Sequence, residues 1–478
     1  MEVPWLAPSV GLLEASPLMS TIDPARHNAS ALKQLQDRCR GFLEFIRQRG
    51  QSTNVYEQKR LVAGAKITLG NIIARMNKWH SKSLFELFVN QIELVAVIKD
   101  CHLEIDNSIT RLQLIATLDD SAWESEFKAN IERDRTRILC YLSDIQNTQS
   151  IITMTEGKQS NDIKTIMAIM QHNLLGTAND NTEGLGTNLY CLQKSIGRLL
   201  PKMHLQHGEA RRVDQHPVKA TGPIDIWEGL YLNVQKVAIK SLRTVRCTPQ
   251  SLQRFKREAE VWNKVWEIDQ ERHILPIYGF CQTDGSFPYI VTPWAQNGTA
   301  NTYVTDHPDV DHRALIRGIS AGINVLHTMS IVHGDLKGAN IVIDAAGNPL
   351  LADFGFAKIV EDLGDPMSRG SGLLGTSARW LAPEWFENGK FTPATDVYAF
   401  GMTIFELMTH ATWSAVRRWR RPATSQLQRP FDEATIERGF DDHLWEVMQK
   451  CWDDPDKRPN IIQLVHMLQD QTRMDVEG

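Results

Sequence analysis

The hydrophobic pattern along this chain runs from helical to strand-like and back to helical, and that order constrains the fold more than any other feature. From residue 29 to about 150 the apolar residues recur at three- and four-residue steps. Leu32, Leu35, Cys39, Phe42 and Ile46 form one stripe, followed by Gly50 as a helix stop. Leu61, Ala65, Leu69, Ile72 and Met76 form a second. A third starts near Ser83 with Leu84, Leu87, Phe88, Gln91, Leu94, Val95 and Ile98, and continues with a bend to Leu118. After Asp119-Asp120-Ser121, an N-cap cluster, comes a fourth: Trp123, Phe127, Ile131, Ile138, Leu142 and Ile145. Four amphipathic helices with short connections predict an antiparallel bundle over 29–150. Residues 1–28, with Pro4, Pro8, Pro17 and Pro24, read as a flexible leader. A short helix (Ile163, Ile166, Met167, Met170, Leu174), a polar glycine-bearing linker from Gly176 to Gly186, and another short helix over 189–200 ending at Pro201 fill most of 151–210. From about residue 211 the texture turns to strands and turns, then back to helices. The expected class is α+β: a small β-rich lobe and a larger helical lobe over 211–473, preceded by an all-α four-helix bundle.

Composition narrows the functional classes. Fifty-two Lys and Arg against 57 Asp and Glu leave a net charge of −5, which offers no polycationic surface for nucleic acid. The seven cysteines are scattered and never arranged C-x-x-C, against a disulfide framework or a structural zinc site. The N-terminus lacks a basic segment before its apolar residues, and no uncharged apolar run is long enough to span a bilayer. A cytoplasmic protein is expected.

Four functional requirements of phosphoryl transfer from ATP are met, in one order, along 237–355. A lysine must hold the α/β-phosphates, a carboxylate must position it, side-chain oxygens must hold the bridging metal, and a carboxylate must take the acceptor hydroxyl proton. Val237-Ala238-Ile239-Lys240 is an apolar strand ending in lysine, and Phe255-Lys256-Arg257-Glu258 opens the helical stripe Phe255, Ala259, Trp262, Val265. Taken singly, these are a solvated edge lysine and a surface glutamate. His333-Gly334-Asp335-Leu336-Lys337-Gly338-Ala339-Asn340 changes that reading, because it fits the catalytic-loop pattern H-x-D-L-x-x-x-N. Asp353-Phe354-Gly355 follows an apolar strand, then Ala382-Pro383-Glu384, Asp396 to Gly401, Cys451-Trp452 and Arg458-Pro459. Together they specify more than ten positions in fixed order, each matching by chance roughly one time in twenty.

Over about 211–473 the chain thus resembles the protein kinase superfamily, whose fold is bilobal. The stretch from Gly375-Thr376 to Glu384 and the wording around Asp396 resemble the tyrosine-kinase-like group, and His333 to Asn340 with Ile290 to Trp294 resembles its fungal branch. The resemblance implies ATP and Mg²⁺ as cofactors and a protein as substrate. It implies that Lys240 contacts the α/β-phosphates and pairs with Glu258. Asp335 would be the catalytic base, Lys337 would neutralise the γ-phosphate, and Asn340 and Asp353 would hold two magnesium ions. Thr292 would stand behind the adenine pocket, with Pro293 to Ala295 as the hinge. Glu384 would pair with Arg458, and Asp396 would anchor the catalytic loop from below. Lys337, with Thr376 ahead of Ala382-Pro383-Glu384, accompanies serine/threonine enzymes in this superfamily.

The bundle carries no ligand constellation: His27, His80 and His102 lie apart and its charges nearly balance. Read alone, it is a docking or autoregulatory module. A four-helix bundle and brace-like helices before a kinase-type domain also resemble the mixed-lineage-kinase-domain-like proteins. That resemblance implies a regulatory partner or a membrane surface as the bundle's target, with peripheral membrane association.

Two features depart from the kinase pattern. Gly334 stands where an arginine ordinarily receives a phosphorylated loop residue. With Ile226 at the valine of G-x-G-x-x-G-x-V, the three glycines are replaced by Lys219, Thr221 and Ile224, and only Gly222 remains, one place off. Pro223 brings no amide donor. These departures favour the alternative of a pseudokinase-type effector whose bundle is the output. The retained set Lys240, Glu258, Asp335, Asn340 and Asp353 favours an enzyme. A hydrogen bond to a charged phosphate oxygen contributes on the order of 1.5–3 kcal/mol, so one lost contact weakens ATP by roughly tenfold or more. Replacing Thr221 and Ile224 by glycine is expected to tighten ATP, read by calorimetry with magnesium present. Unchanged affinity would mean that Gly222 and its neighbours already cradle the phosphates.

Overall fold

The computed structural model describes residues 29–52, 56–80, 82–111, 123–174, 182–206, 208–221, 224–243, 245–283, 285–354, 378–410 and 428–477. The expected leader, the 112–118 part of the third stripe and the cap cluster at 119–121 lie outside them. The chain divides into two compact units, residues up to Ser195 and residues from Ile196 on.

In the first unit the long helices α1 (Ala29–Ser52), α2 (Tyr56–His80), α4 (Gln91–Arg111) and α5 (Trp123–Ser143) share one core. Leu35, Leu69, Ile72, Leu94 and Ile98 are its fully buried centre. The bend expected in the third stripe is a break. Helix α3 (Leu84–Val89) starts at the Ser83 capping box, with Glu86 answering the cap, and closes at Asn90.

Two polar groups fix how these helices meet. The Asp134 carboxylate of α5, 1% exposed, accepts the backbone N–H groups of Ser30 (3.1 Å) and Ala31 (3.0 Å) and so caps α1 from another helix. Arg38 of α1 donates to His102 Nδ1 at 2.8 Å and pairs with Asp106 at 2.5 Å, while Trp123 Nε1 donates to Asp106 at 2.9 Å. The His102 ring stacks on Trp123 at 4.5 Å between centroids. Burial and the Arg38 charge push His102 down to about 3, so it stays neutral.

Helices α6 (Thr148–Thr155), α7 (Ser160–Asn173) and α8 (Thr182–Ile196) follow. The linker expected over 176–186 is corrected in its second half, because Thr182 to Gly186 are helical. Composition suggested a flexible tract, but Gly184 is there for close approach: a Cβ at this position would lie 1.9 Å from the Ser143 carbonyl oxygen. Asn188, one turn on, donates to Leu142 O (2.8 Å) and Asp144 O (3.0 Å) and accepts from Thr148 Oγ1. The boundary expected at residue 210 also moves. Leu199, Leu200, Met203 and Leu205 are buried in the second unit, where Leu205 N donates to Phe280 O and Phe280 N donates to Met203 O.

The second unit begins with a six-stranded antiparallel sheet of β1 (Ala210–Arg212), β2 (Lys219–Thr221), β3 (Ile224–Tyr231), β4 (Gln235–Leu242), β5 (Gly279–Cys281) and β6 (Tyr289–Pro293). The order is β1-β3-β4-β6-β5, and β2 pairs the other end of β3. Residues 237–242 of β4 are all buried, as a central strand with both faces covered requires. Helix α9 (Pro249–Asp269) and then α10 (Ala300–Asp306) and α11 (His312–Thr328) come next. The hairpin of β7 (Ile341–Ile343) and β8 (Pro349–Leu351) packs on α11. A Cβ on Gly322 would meet Leu351 at 3.0 Å, so the bare glycine lets that hairpin sit close to the helix. Helices α12 (Pro383–Asn388), α13 (Pro393–Thr409), α14 (Glu433–Glu437), α15 (Asp442–Cys451) and α16 (Ile461–Glu477) complete the helical lobe. No helix of the described residues is long and apolar enough to cross a membrane.

Two glycine-to-alanine changes separate close approach from helix propensity. Gly184→Ala is expected to destabilise the first unit by about 1–3 kcal/mol through overpacking. Gly70→Ala, where a Cβ meets nothing within 4 Å, should be neutral or stabilising by up to about 1 kcal/mol. Urea denaturation of the full chain checks both, and equal effects would remove the packing role of Gly184.

Candidate active site

The site is built under the sheet, and its rear wall is set by strand register. Ile226 of β3 lies opposite Lys240 of β4, and Lys240 lies opposite Ile290 of β6. The cleft holds a cavity of about 520 Å³, a size suited to a nucleotide. Val218, Ile226, Ala238, Leu275 and Val342 give it apolar walls. Thr292, Pro293, Trp294 and Ala295 line it where β6 ends. Pro293 has no amide hydrogen, and the Trp294 N–H donates to Lys236 O at 3.2 Å. Among the described residues the Ala295 amide has no backbone partner, and so is left to donate elsewhere. Thr292 is buried and its hydroxyl is unpartnered among them.

Lys240, Asp335, Lys337, Asn340 and Asp353 line the same cavity. Asp335 sits between Lys337, whose Nζ donates to both its oxygens (3.0 and 2.9 Å), and Asn340, whose Nδ2 donates to its backbone oxygen and to Oδ2 at 2.7 Å. These bonds leave Asn340 Oδ1 for another partner. Asp353 adopts φ 63°, a left-handed conformation that aspartate tolerates better than most residues. Phe354 beside it is buried. Among the described residues no three His, Cys, Asp or Glu side chains cluster as a metal site. The donor set here is one carboxylate and one amide oxygen, which suits a magnesium ion that takes its other ligands from phosphates and water.

The catalytic loop is held from below by Asp396 in the first turn of α13. Its buried carboxylate accepts the N–H groups of His333 (2.7 Å) and Gly334 (2.9 Å), and His327 Nε2 donates to it at 2.9 Å. Gly334 adopts φ +78°, and a Cβ there would touch the Phe391 ring at 3.5 Å. The expected Glu384–Arg458 pair is present, with two contacts of 2.5 and 3.0 Å.

One expected contact is corrected. Lys240 does not pair with Glu258: its Nζ binds Asp353 Oδ1 at 2.5 Å, and Glu258 pairs with Arg254 at 3.0 Å. The physical reason is competition. Arg254 is one helical turn from Glu258 on α9, the spacing at which opposite charges meet, and Asp353 offers Lys240 a nearer carboxylate. Glu258 does not line the cavity. Gly222, Gly355 and Thr376 lie outside the described residues.

A residue missed in the sequence is Glu406 of α13, which lines the cavity and accepts the Gly338 N–H at 2.9 Å. It is the one charged residue of an otherwise apolar helical stretch from Val397 to Thr409, and that was its available signal. Burial pushes its carboxyl up from 4.5 to about 7, against the Gly338 N–H and the Lys337 charge, which favour ionisation.

The sequence profile of the protein tyrosine and serine/threonine kinase family matches residues 224–468. The tyrosine-protein kinase SRK3 of Spongilla lacustris is 29% identical over 266 residues, covering 53% of this chain and 74% of that protein. The serine/threonine-protein kinase STY17 of Arabidopsis thaliana is 28% identical over 260 residues, 51% of this chain and 42% of its own. The tyrosine protein-kinase src-1 of Caenorhabditis elegans is 27% identical over 258 residues, 52% of this chain and 46% of its own. The matched region thus spans less than half of the latter two.

The raised Glu406 pKa makes stability depend on pH. An acid whose pKa rises on folding stabilises the fold below its unfolded value, and that contribution is lost as pH climbs through the folded value. Relative to Glu406→Gln, the parent protein should lose on the order of 3 kcal/mol as pH rises from 4.5 through about 7. Thermal melts of both proteins across that range check this, and parallel curves would rule it out.

Proposed function

The chain belongs to the protein tyrosine and serine/threonine kinase family, and from that premise we propose that it transfers the γ-phosphate of ATP to a serine or threonine hydroxyl of a protein substrate. The observation that carries this reading is the convergence of Lys240, Asp335, Lys337, Asn340 and Asp353 on one cavity with apolar walls and a free hinge amide. The acceptor hydroxyl gives its proton to Asp335 as its oxygen bonds to the γ-phosphorus, and the bond to the departing ADP oxygen breaks. Lys337, already on both oxygens of Asp335, lies where it can neutralise the transferring phosphate. Asn340 and Asp353 would hold magnesium, which would supply positive charge against the phosphates. Serine/threonine preference is supported by Lys337 two residues beyond Asp335. The matched relatives are named as kinases of both kinds. The motif wording supports the tyrosine-kinase-like group and its fungal branch.

We take the helical unit as a regulatory or interaction module of a cytoplasmic protein, with a partner protein or a membrane surface as its target. Its order before the kinase region supports kinship with mixed-lineage-kinase-domain-like proteins. One observation favours the second reading, an effector that binds nucleotide and signals through the bundle: Lys240 and Glu258 are each held by another partner.

A γ-phosphate transfer assay on the full chain separates the two readings. Asp335→Asn should abolish transfer and leave ATP affinity nearly intact, because Asp335 acts on the acceptor hydroxyl. Lys240→Met should damage transfer through misplaced phosphates. Transfer by Asp335→Asn at the parental rate would overturn the assignment, and ATP binding without transfer in the parent would select the effector.

A further inference from the structure

The roof of the nucleotide cleft has lost the glycines that bring backbone amides to phosphates, and a cation stands at the first of those places. Strand β2 pairs β3 in the register Lys219↔Ile226 and Thr221↔Ile224, so Thr221 and Ile224 flank the two-residue connection Gly222-Pro223. Side chains larger than hydrogen occupy both flanks, and Pro223 supplies no N–H. Ile226 in turn pairs Lys240 on its other side. Directly opposed residues on neighbouring strands share a face of the sheet, so Lys219, Ile226 and Lys240 form one row on the face that covers the cleft. All three line the cavity. At about 4.8 Å per strand, the two lysines start about 10 Å apart across Ile226.

The charges of the cavity explain what the second lysine is for. Among its lining residues, Lys240 is bound to Asp353 and Lys337 to Asp335. Glu406 adds a third carboxyl group. Lys219 is exposed, and its ammonium has no hydrogen bond or ion pair among the described residues. A triphosphate entering the cleft therefore meets two neutralised lysines and one that is unengaged. We propose that Lys219 is a phosphate-binding residue of the nucleotide site, supplying from the roof the contact that glycine-loop amides would have made. A flexible four-carbon stem with three donors reaches phosphate oxygens without close backbone approach. That makes it compatible with Thr221 and Ile224 at places where the kinase pattern has glycine. The inference rests on the nucleotide-binding reading above, though not on catalysis.

Calorimetry on the full chain, with ATP and with adenosine, in magnesium buffer, tests it. Lys219→Met should weaken ATP about tenfold, the loss of one charge-assisted hydrogen bond. It should leave adenosine unchanged, and Lys219→Arg should restore ATP. The difference between parent and Lys219→Met should shrink with added salt. If Lys240→Met weakens ATP while Lys219→Met does not, Lys219 is a solvated edge lysine only and this inference fails alone. Equal weakening of ATP and adenosine would also overturn it, by showing that the residue supports the strand rather than the phosphates. A parent protein that binds no ATP would remove the nucleotide-binding reading itself, and this inference with it.

Discussion

The catalytic loop between His333 and Asn340 has little regular structure of its own, so something outside it must hold it in shape. Asp396 does this from the first turn of α13, where Thr392 and Thr395 form a capping box that fixes the helix start. A carboxylate with 1% exposure is costly to bury unless its lone pairs are filled. Here they are filled by two backbone N–H groups of the loop and by His327. The cost of burial thus makes the loop's position strongly determined, because any drift of His333 or Gly334 strands the charge. The neighbours follow from that anchor. Asp335 is presented to Lys337 and Asn340, and the β7–β8 hairpin carries Asp353 to the same cavity.

Within the cleft, the charges satisfy one another in pairs. Lys240 with Asp353 and Lys337 with Asp335 are each nearly buried, a setting in which an unpaired charge would be expensive. Glu258 is left to Arg254 on its own helix.

The bundle shows the same rule in a different setting. Asp134 is tolerated in a helical core because it caps α1, and Arg38, His102, Asp106 and Trp123 satisfy one another across three helices. Such contacts need one helix register and orientation to form. They give the bundle a specific packing that its Leu and Ile stripes alone do not impose.

Helix periodicity, the strand ending in Lys240 and the spacing of His333 to Asp353 were legible in the sequence because each is a local pattern. The four bundle helices, the two lobes and the polar side chains that line the cavity came from that. The break at Asn90 was visible only as a bend, and Thr182 to Gly186 looked like a linker because glycine reports conformational freedom and close approach with the same letter. Glu406 was passed over because burial belongs to the surroundings of α13. The partner of Lys240 was read as Glu258, and the structure gives it Asp353 instead. Choosing between these two carboxylates depends on distances set by strands and helices far apart in the chain. By itself the sequence determined which groups the protein has for its chemistry and which lobe carries each. Only the tertiary structure decided which charges meet, because a pairing energy depends on separation and burial, and neither is written in the local order of residues.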